Sequence, residues 1–279
     1  MKRLLFLAAA SLLYVNANAQ VIPVKVEQNE SGYYLTRGGE PYYVNGAGGS
    51  TYLDEVLEAG GNSIRTWAAN EAGSILDEAH AKGLSVMFGL WVGHERHGFD
   101  YNDEEAVAKQ LERFTNIVKK YKDHPAILLW GIGNEVDLFY SNTKVWDAIQ
   151  DIAKMVHEID PNHPTTTVTA GLDKKEVELI LEKVPDLDIY SVNTYGEISD
   201  VPDNLPKYGW KGPWMITEWG PTGHWDVQKT TWGVPLEQSS KEKANIYTER
   251  YTKYIKDYKG KCIGSYVFLW GQKQETTST

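Results

Sequence analysis

Two glutamates stand where apolar runs end. Ile127-Leu128-Leu129-Trp130-Gly131-Ile132-Gly133 leads into Asn134 and Glu135, and Trp214-Met215-Ile216-Thr217 leads into Glu218 and Trp219. A carboxylate at the end of a buried strand is costly to desolvate, so its presence there argues for use. Two carboxyls in one cavity divide acid and base roles, because ionising one disfavours ionising the other. Cleavage of an acetal needs that division: the leaving oxygen must be protonated while an oxocarbenium-like transition state is stabilised by an ionised partner. Other runs deliver Arg65 and Trp67, Trp91 and His94, Asn193 and Tyr195, and Trp270. An arginine beside one carboxyl favours its charged form, and indoles stack on the apolar faces of sugar rings.

These residues need a frame that brings them to one mouth. Short apolar or β-branched runs at 42–45, 63–67, 85–91, 127–133, 165–169, 189–193, 214–218 and 265–270 read as strands. Helical patterns lie between them at 52–59, 72–82, 104–122, 144–159, 174–183 and 241–256. Residues 200–208 form a weaker helix candidate, since Pro202 and Pro206 interrupt it. Eight strands alternating with helices predict an α/β fold, a (β/α)8 TIM barrel, whose active site lies at the C-terminal strand ends. The rival is an open doubly wound sheet, but Gly46-Ala47-Gly48-Gly49-Ser50 lacks the full phosphate-binding glycine spacing.

The expected domains are a signal peptide at 1–19, an N-terminal β-hairpin at 20–40 and a barrel at 41–279. Lys2 and Arg3 precede the apolar run 4–13, and Ala17-Asn18-Ala19 offers a cleavage site, so export to the periplasm or the extracellular space is expected. The hairpin follows from the alternation Val24-Lys25-Val26-Glu27, the turn Glu30-Ser31-Gly32 and then Tyr33-Tyr34-Leu35, and it could plug the barrel's bottom. Residues 271–279 are few and polar, so the eighth helix is expected to be missing and the barrel C-terminally incomplete.

A net charge of −10 argues against nucleic-acid or anionic-membrane partners, and no run is long enough for membrane insertion. Cys262 stands alone, which leaves no intrachain disulfide. His94-Glu95-Arg96-His97 is not HExxH and has no evident third ligand, so no metal is expected.

The segment from His124-Pro125-Ala126 to Asn134-Glu135 resembles the acid/base segment of clan A glycoside hydrolases, especially the glycoside hydrolase family 2 catalytic barrel. Ile216-Thr217-Glu218-Trp219-Gly220 is similar to the nucleophile segment of the same group. The resemblance spans about residues 40–272. It implies Glu135 as acid/base, Glu218 as nucleophile of a retaining mechanism, Asn134 on the sugar 2-hydroxyl and Arg65 holding the nucleophile ionised. It further implies Tyr195 donating to the nucleophile, Trp270 as the floor of the sugar subsite, and no metal or other cofactor. Asn193, His94 and Trp91 are expected substrate contacts. The sandwich domains that typical family 2 enzymes carry before the barrel do not fit in residues 20–40.

The expected function is hydrolysis of a neutral β-linked glycan or oligosaccharide by double displacement, with carbohydrate as partner. A β-glycan transglycosylase keeps the chemistry and changes the acceptor. A carbohydrate-binding barrel or an inactive fragment keeps the fold without turnover.

Overall fold

The computed structural model describes residues 20–271. The signal peptide expected at 1–19 and the polar end expected to lack a helix, at 272–279, lie outside them. A three-stranded antiparallel sheet comes first: β1 (Val24–Asn29), β2 (Gly32–Arg37) and β3 (Glu40–Tyr42). The expected hairpin therefore carries a third short strand, and the first barrel strand begins two residues later than its pattern suggested.

The barrel strands are β4 (Val44–Gly48), β5 (Ser63–Arg65), β6 (Ser85–Leu90), β7 (Ile127–Ile132), β8 (Thr165–Ala170), β9 (Ile189–Asn193), β10 (Trp214–Trp219) and β11 (Cys262–Val267). They pair in parallel and in sequence order, and β11 closes onto β4. The helices between them are α1 (Leu53–Glu58), α2 (Ala72–Ala81), α3 (Glu104–Tyr121), α4 (Lys144–Ile159), α5 (Lys174–Lys183), α6 (Val201–Lys207) and α7 (Ser240–Arg250). The closed barrel excludes the open sheet. Every residue of β6, β7 and β10 is buried, as strands covered on both faces require.

Local chemistry sets the helix ends. Asp103 accepts from the Ala106 N–H to start α3, and Asp173 accepts from the Lys175 N–H to start α5. Pro202 is tolerated because it sits in the first turn of α6, where backbone N–H groups have no helical partner.

Two apolar layers hold the barrel. Between strands and helices pack Phe88, Phe114, Trp130, Trp146 and Trp214. Inside, Val44, Met87, Leu129, Val168, Met215 and Tyr266 pack together with Val24 and Leu35 of the N-terminal sheet. That sheet caps the end of the barrel opposite the strand C-termini. Its backbone and side chains bond the lower loops: Val24 N–H to the Asn162 carbonyl at 2.8 Å, Tyr33 N–H to that of Gly260 at 2.7 Å, Arg37 to that of Pro125 at 2.8 Å. The glycine cluster after β3 has a packing reason. A Cβ on Gly46 would fall 2.2 Å from the Tyr266 ring, whose hydroxyl bonds Ser63 Oγ at 2.9 Å in the barrel interior.

Candidate active site

The strand ends bring the two glutamates into one hydrogen-bonded network. Glu218, near the end of β10, is 6% exposed. Its Oε1 accepts from Trp67 Nε1 at 2.8 Å and from Arg65 Nη1 at 3.2 Å, and its Oε2 accepts from the Tyr195 hydroxyl at 3.0 Å. Arg65 ends β5 and is 1% exposed. Its guanidinium also donates to Asn193 Oδ1 at 3.1 Å, to the Thr217 carbonyl at 2.8 Å and to Asn134 Oδ1 at 2.6 Å.

Asn193, the last residue of β9, joins the two carboxyls. Its Nδ2 donates to Glu135 Oε1 at 2.9 Å and to Asn134 Oδ1 at 3.1 Å, while its oxygen accepts from Arg65 and from Thr217 Oγ1 at 3.0 Å. All four hydrogen-bonding positions of this amide are thus taken inside the protein. Asn193 orders the site by linking both carboxyls and Arg65. Asn134 has its oxygen occupied by Arg65 and Asn193, so its NH2 is the group it can offer.

Glu135 sits on a turn that an L-residue adopts reluctantly. Gly133 has φ +77° and Glu135 itself φ +51°. A non-glycine residue in this left-handed region costs about 1–2 kcal/mol. Neighbouring backbone bonds hold it there: Gly133 N–H to the Leu90 carbonyl and Glu135 N–H to that of Val168, both at 2.9 Å. Such strain tends to persist where a side chain must be aimed.

Burial pushes the Glu218 carboxyl above the ordinary glutamate value, and the Glu135 charge adds to that; Arg65, Trp67 and Tyr195 pull it back. The arginine acts in the expected sense, yet desolvation outweighs it. Burial likewise raises the Tyr195 hydroxyl, with the charge of Glu218 next in importance, so the phenol stays protonated and donates.

The remaining residues lie further out. His94 is buried and its Nε2 meets the Asn134 carbonyl at 2.6 Å. Because a carbonyl can only accept, Nε2 carries the proton, and burial lowers the imidazole's pKa, which favours its neutral form. Trp91 packs its indole against His94 with centroids 4.7 Å apart and borders a cavity of about 710 Å³ toward α3, which neither glutamate lines. Trp270 donates to the Tyr52 carbonyl at 3.2 Å and touches neither glutamate among the described contacts.

Three participants were not singled out for these roles from the sequence. Trp67, two residues beyond Arg65 on the same strand end, donates to Glu218. Phe268 lies edge-on to both Trp67 and Tyr195, at 5.9 and 6.2 Å. Asp137, two residues past Glu135, accepts the Ala170 N–H at 3.0 Å; burial raises its carboxyl from 3.8 to about 7. Its only sequence signal is an acidic residue close behind Glu135. Among the described residues no cluster of histidine, cysteine and acidic side chains could hold a metal ion.

The description "Glycosyl hydrolases family 2, TIM barrel domain" matches residues 66–224. A β-glucuronidase of Paenibacillus borealis is 26% identical over 168 residues, which cover 57% of this chain and 27% of that protein. Mannan endo-1,4-β-mannosidase F of Aspergillus clavatus is 24% identical over 180 residues, covering 47% and 41%. The chain thus spans less than half the length of both relatives. Among solved structures, β-D-glucuronidase of Dictyoglomus thermophilum superposes with a TM-score of 0.62 at 17% identity, over 91% of this chain and 48% of that one. A glycoside hydrolase family 5 mannosidase of Rhizomucor miehei gives 0.65 at 14% identity, over 88% and 86%. These likenesses establish the shared barrel.

Proposed function

The chain belongs to the glycosyl hydrolase family 2 TIM-barrel domains, and from that premise we propose that it is a retaining glycoside hydrolase acting on a neutral β-linked glycan. The observation that carries the reading is the Glu218 carboxylate, held by three donors and tied through Arg65 and Asn193 to Glu135.

Glu218 attacks the anomeric carbon while Glu135 gives its proton to the departing glycosidic oxygen. The C–O bond breaks, a glycosyl ester forms on Glu218, and Glu135 is left as a carboxylate. A water then gives a proton to Glu135, its oxygen attacks the same carbon, and Glu218 departs as the ion it began as. Asn193 holds Glu135 in place for both proton transfers. The Asn134 NH2 donates to a sugar hydroxyl, a contact that tightens as charge develops on the ring.

Preference for a neutral sugar rests on Arg65. Both terminal nitrogens of its buried guanidinium already donate to protein acceptors, Nη1 to three and Nη2 to Asn134, which disfavours its turning to a substrate carboxylate. The β-linkage is the one that the β-glucuronidase and mannan endo-1,4-β-mannosidase relatives are named for. The basic, apolar and small-residue order of residues 2–19 supports export.

The test is reducing-sugar release by the full chain from β-mannans, β-glucans, β-galactosides and β-glucuronides, alongside Glu135→Gln and Glu218→Gln. Proton NMR of the first-formed product reads the anomer. Release of the β-anomer, abolished by both substitutions in folded protein, is expected. First-formed α-anomer would overturn retention, and a preference for glucuronides would overturn the neutral substrate.

A further inference from the structure

The loop after β10, residues 220–239, carries an aromatic that the two-glutamate chemistry does not use. Trp225 is 58% exposed, yet it is fixed from several sides. Its six-membered ring covers Gly223, where a Cβ would fall 2.3 Å from Cζ2. Asp226 and Val227 N–H groups both bond the Gly223 carbonyl, at 3.0 and 3.2 Å, closing a tight turn around the indole. Gly196 lets the loop approach β9, since a Cβ there would meet Asp226 Oδ2 at 2.4 Å. Arg250 of α7 ties down the loop's start by donating to the Gly220 carbonyl and to Thr222 Oγ1.

The indole stands edge-on to Tyr195, centroids 5.5 Å apart and planes at 84°. Tyr195 is the residue that donates to Glu218 Oε2. Trp225 therefore extends an arc of rings, Trp67, Phe268, Tyr195 and Trp225, that surrounds the buried carboxylate and ends in solvent. The arc's two ends differ. Trp67 lies on the β5 side. Trp225 lies on the β9 side, toward which Asn193 draws the Glu135 carboxyl. The oxygen that Glu135 protonates belongs to the leaving sugar, and Asn193 and Tyr195 bring Glu135 and Trp225 to the end of the same strand, β9.

We propose that Trp225 is the stacking platform for the leaving-group sugar, and thus the residue that makes this site prefer a glycan over a glycoside with a small aglycone. The proposal rests on the glycosidase reading above. An ordered, half-exposed indole presents a flat apolar face at little further entropic cost, which suits the C–H face of a pyranose.

The experiment compares a β-linked oligosaccharide with the β-glycosyl fluoride of the same glycone, whose leaving group has no ring to stack. Trp225→Ala, Trp225→Phe and Trp232→Ala are assayed on both. Trp232 is 77% exposed on the same loop and serves as the control. Trp225→Ala is expected to lower the ratio of oligosaccharide to fluoride kcat/KM about tenfold, the scale of one lost stacking contact. Trp225→Phe recovers most of that ratio, and Trp232→Ala leaves it unchanged. Equal losses on both substrates would make Trp225 a positioning residue acting through Tyr195 and overturn the proposal. So would a loss that grows with glycone length, or a Trp232→Ala effect as large. Wild-type protein that hydrolyses neither substrate overturns the glycosidase reading and this inference with it.

Discussion

Each glutamate-bearing strand runs into a helix, and the two helices are built differently. After β7 and Glu135, α4 buries eight of its side chains, among them Trp146, Ile149, Ile152 and Val156. After β10 and Glu218, α7 buries none. It is held instead by a Ser239–Glu242 capping box and by the Arg250 bonds to the preceding loop, before the chain passes through a π-turn at Tyr251–Ile255. The support of Glu135 is thus continuous with the core. That of Glu218 comes sideways, from Arg65, Trp67 and Tyr195 on β5 and the loops after β5 and β9. Glu135 is aimed chiefly by its backbone turn with one side-chain donor, Asn193, and Glu218 by three donors.

The largest expected effect follows from removing the main donor. Arg65→Gln leaves Glu218 buried without its cation, and breaking a buried pair costs about 3–5 kcal/mol of stability. The carboxyl's pKa, already raised by burial, rises further, so the acid limb of the kcat/KM profile moves to higher pH. In protein that circular dichroism finds folded, kcat falls about 10²–10³-fold, the scale for losing one preorganised electrostatic contact. An unmoved acid limb would mean that Arg65 does not govern Glu218.

Next comes a paired measurement on the helices. Trp146→Ala empties a fully buried site and is expected to cost about 3–5 kcal/mol in urea unfolding. Tyr247→Ala, on the partly covered face of α7 against Trp219, costs about 1–2 kcal/mol. Equal losses would end the contrast between the two supports.

How much of this could be read beforehand depended on the kind of contact. The strands and most helices were legible because burial on both faces writes an apolar run, and α4 and α5 begin and end where their patterns do. Glu135, Glu218 and Arg65 were legible as charges at strand ends. The last strand shifted from the expected 265–270 to Cys262–Val267, because Phe268-Leu269-Trp270 is as apolar as a strand but turns toward the mouth. Asn193 was legible as a polar residue at a strand end; that its amide is saturated depends on which groups its neighbours on β5, β7 and β10 present. The same holds for the Trp67 N–H and for Asp137. Such pairings arise from register and rotamer across the barrel, which a linear pattern does not encode.

Asp137 offers a smaller test on the Glu135 side. Its carboxyl titrates near 7 in the folded chain against 3.8 normally, so the native state holds a proton that the unfolded state has released between those values. Stability therefore falls as pH rises through that window and stays lower above it. Asp137→Asn keeps an acceptor for the Ala170 N–H and removes the titration. It should be neutral at pH 4 and about 1–2 kcal/mol stabilising at pH 8, read by thermal unfolding at both values. A stability difference independent of pH would show that Asp137 is ionised throughout.

The smallest effect tests whether α7 belongs to the cooperative core at all. Ser239 Oγ accepts the Glu242 N–H at 3.4 Å, and Glu242 Oε2 returns bonds to the Ser239 N–H at 2.8 Å and hydroxyl at 2.7 Å. Ser239→Ala removes the cap, worth about 0.5–1 kcal/mol. α7 buries no side chain and meets the barrel mainly through the partly covered Tyr247, two turns from the cap, so that loss is only weakly transmitted to the barrel. It should appear as faster amide hydrogen exchange at the start of α7 with an unfolding midpoint almost unmoved. Asp103→Ala deletes the equivalent cap on α3, where Phe114 and Val118 are buried, so there the same energy should shift the global midpoint. If Ser239→Ala moves the midpoint as far as Asp103→Ala, the Arg250 bonds and the Tyr247 and Tyr251 contacts on Trp219 couple α7 to the barrel as firmly as a buried face would.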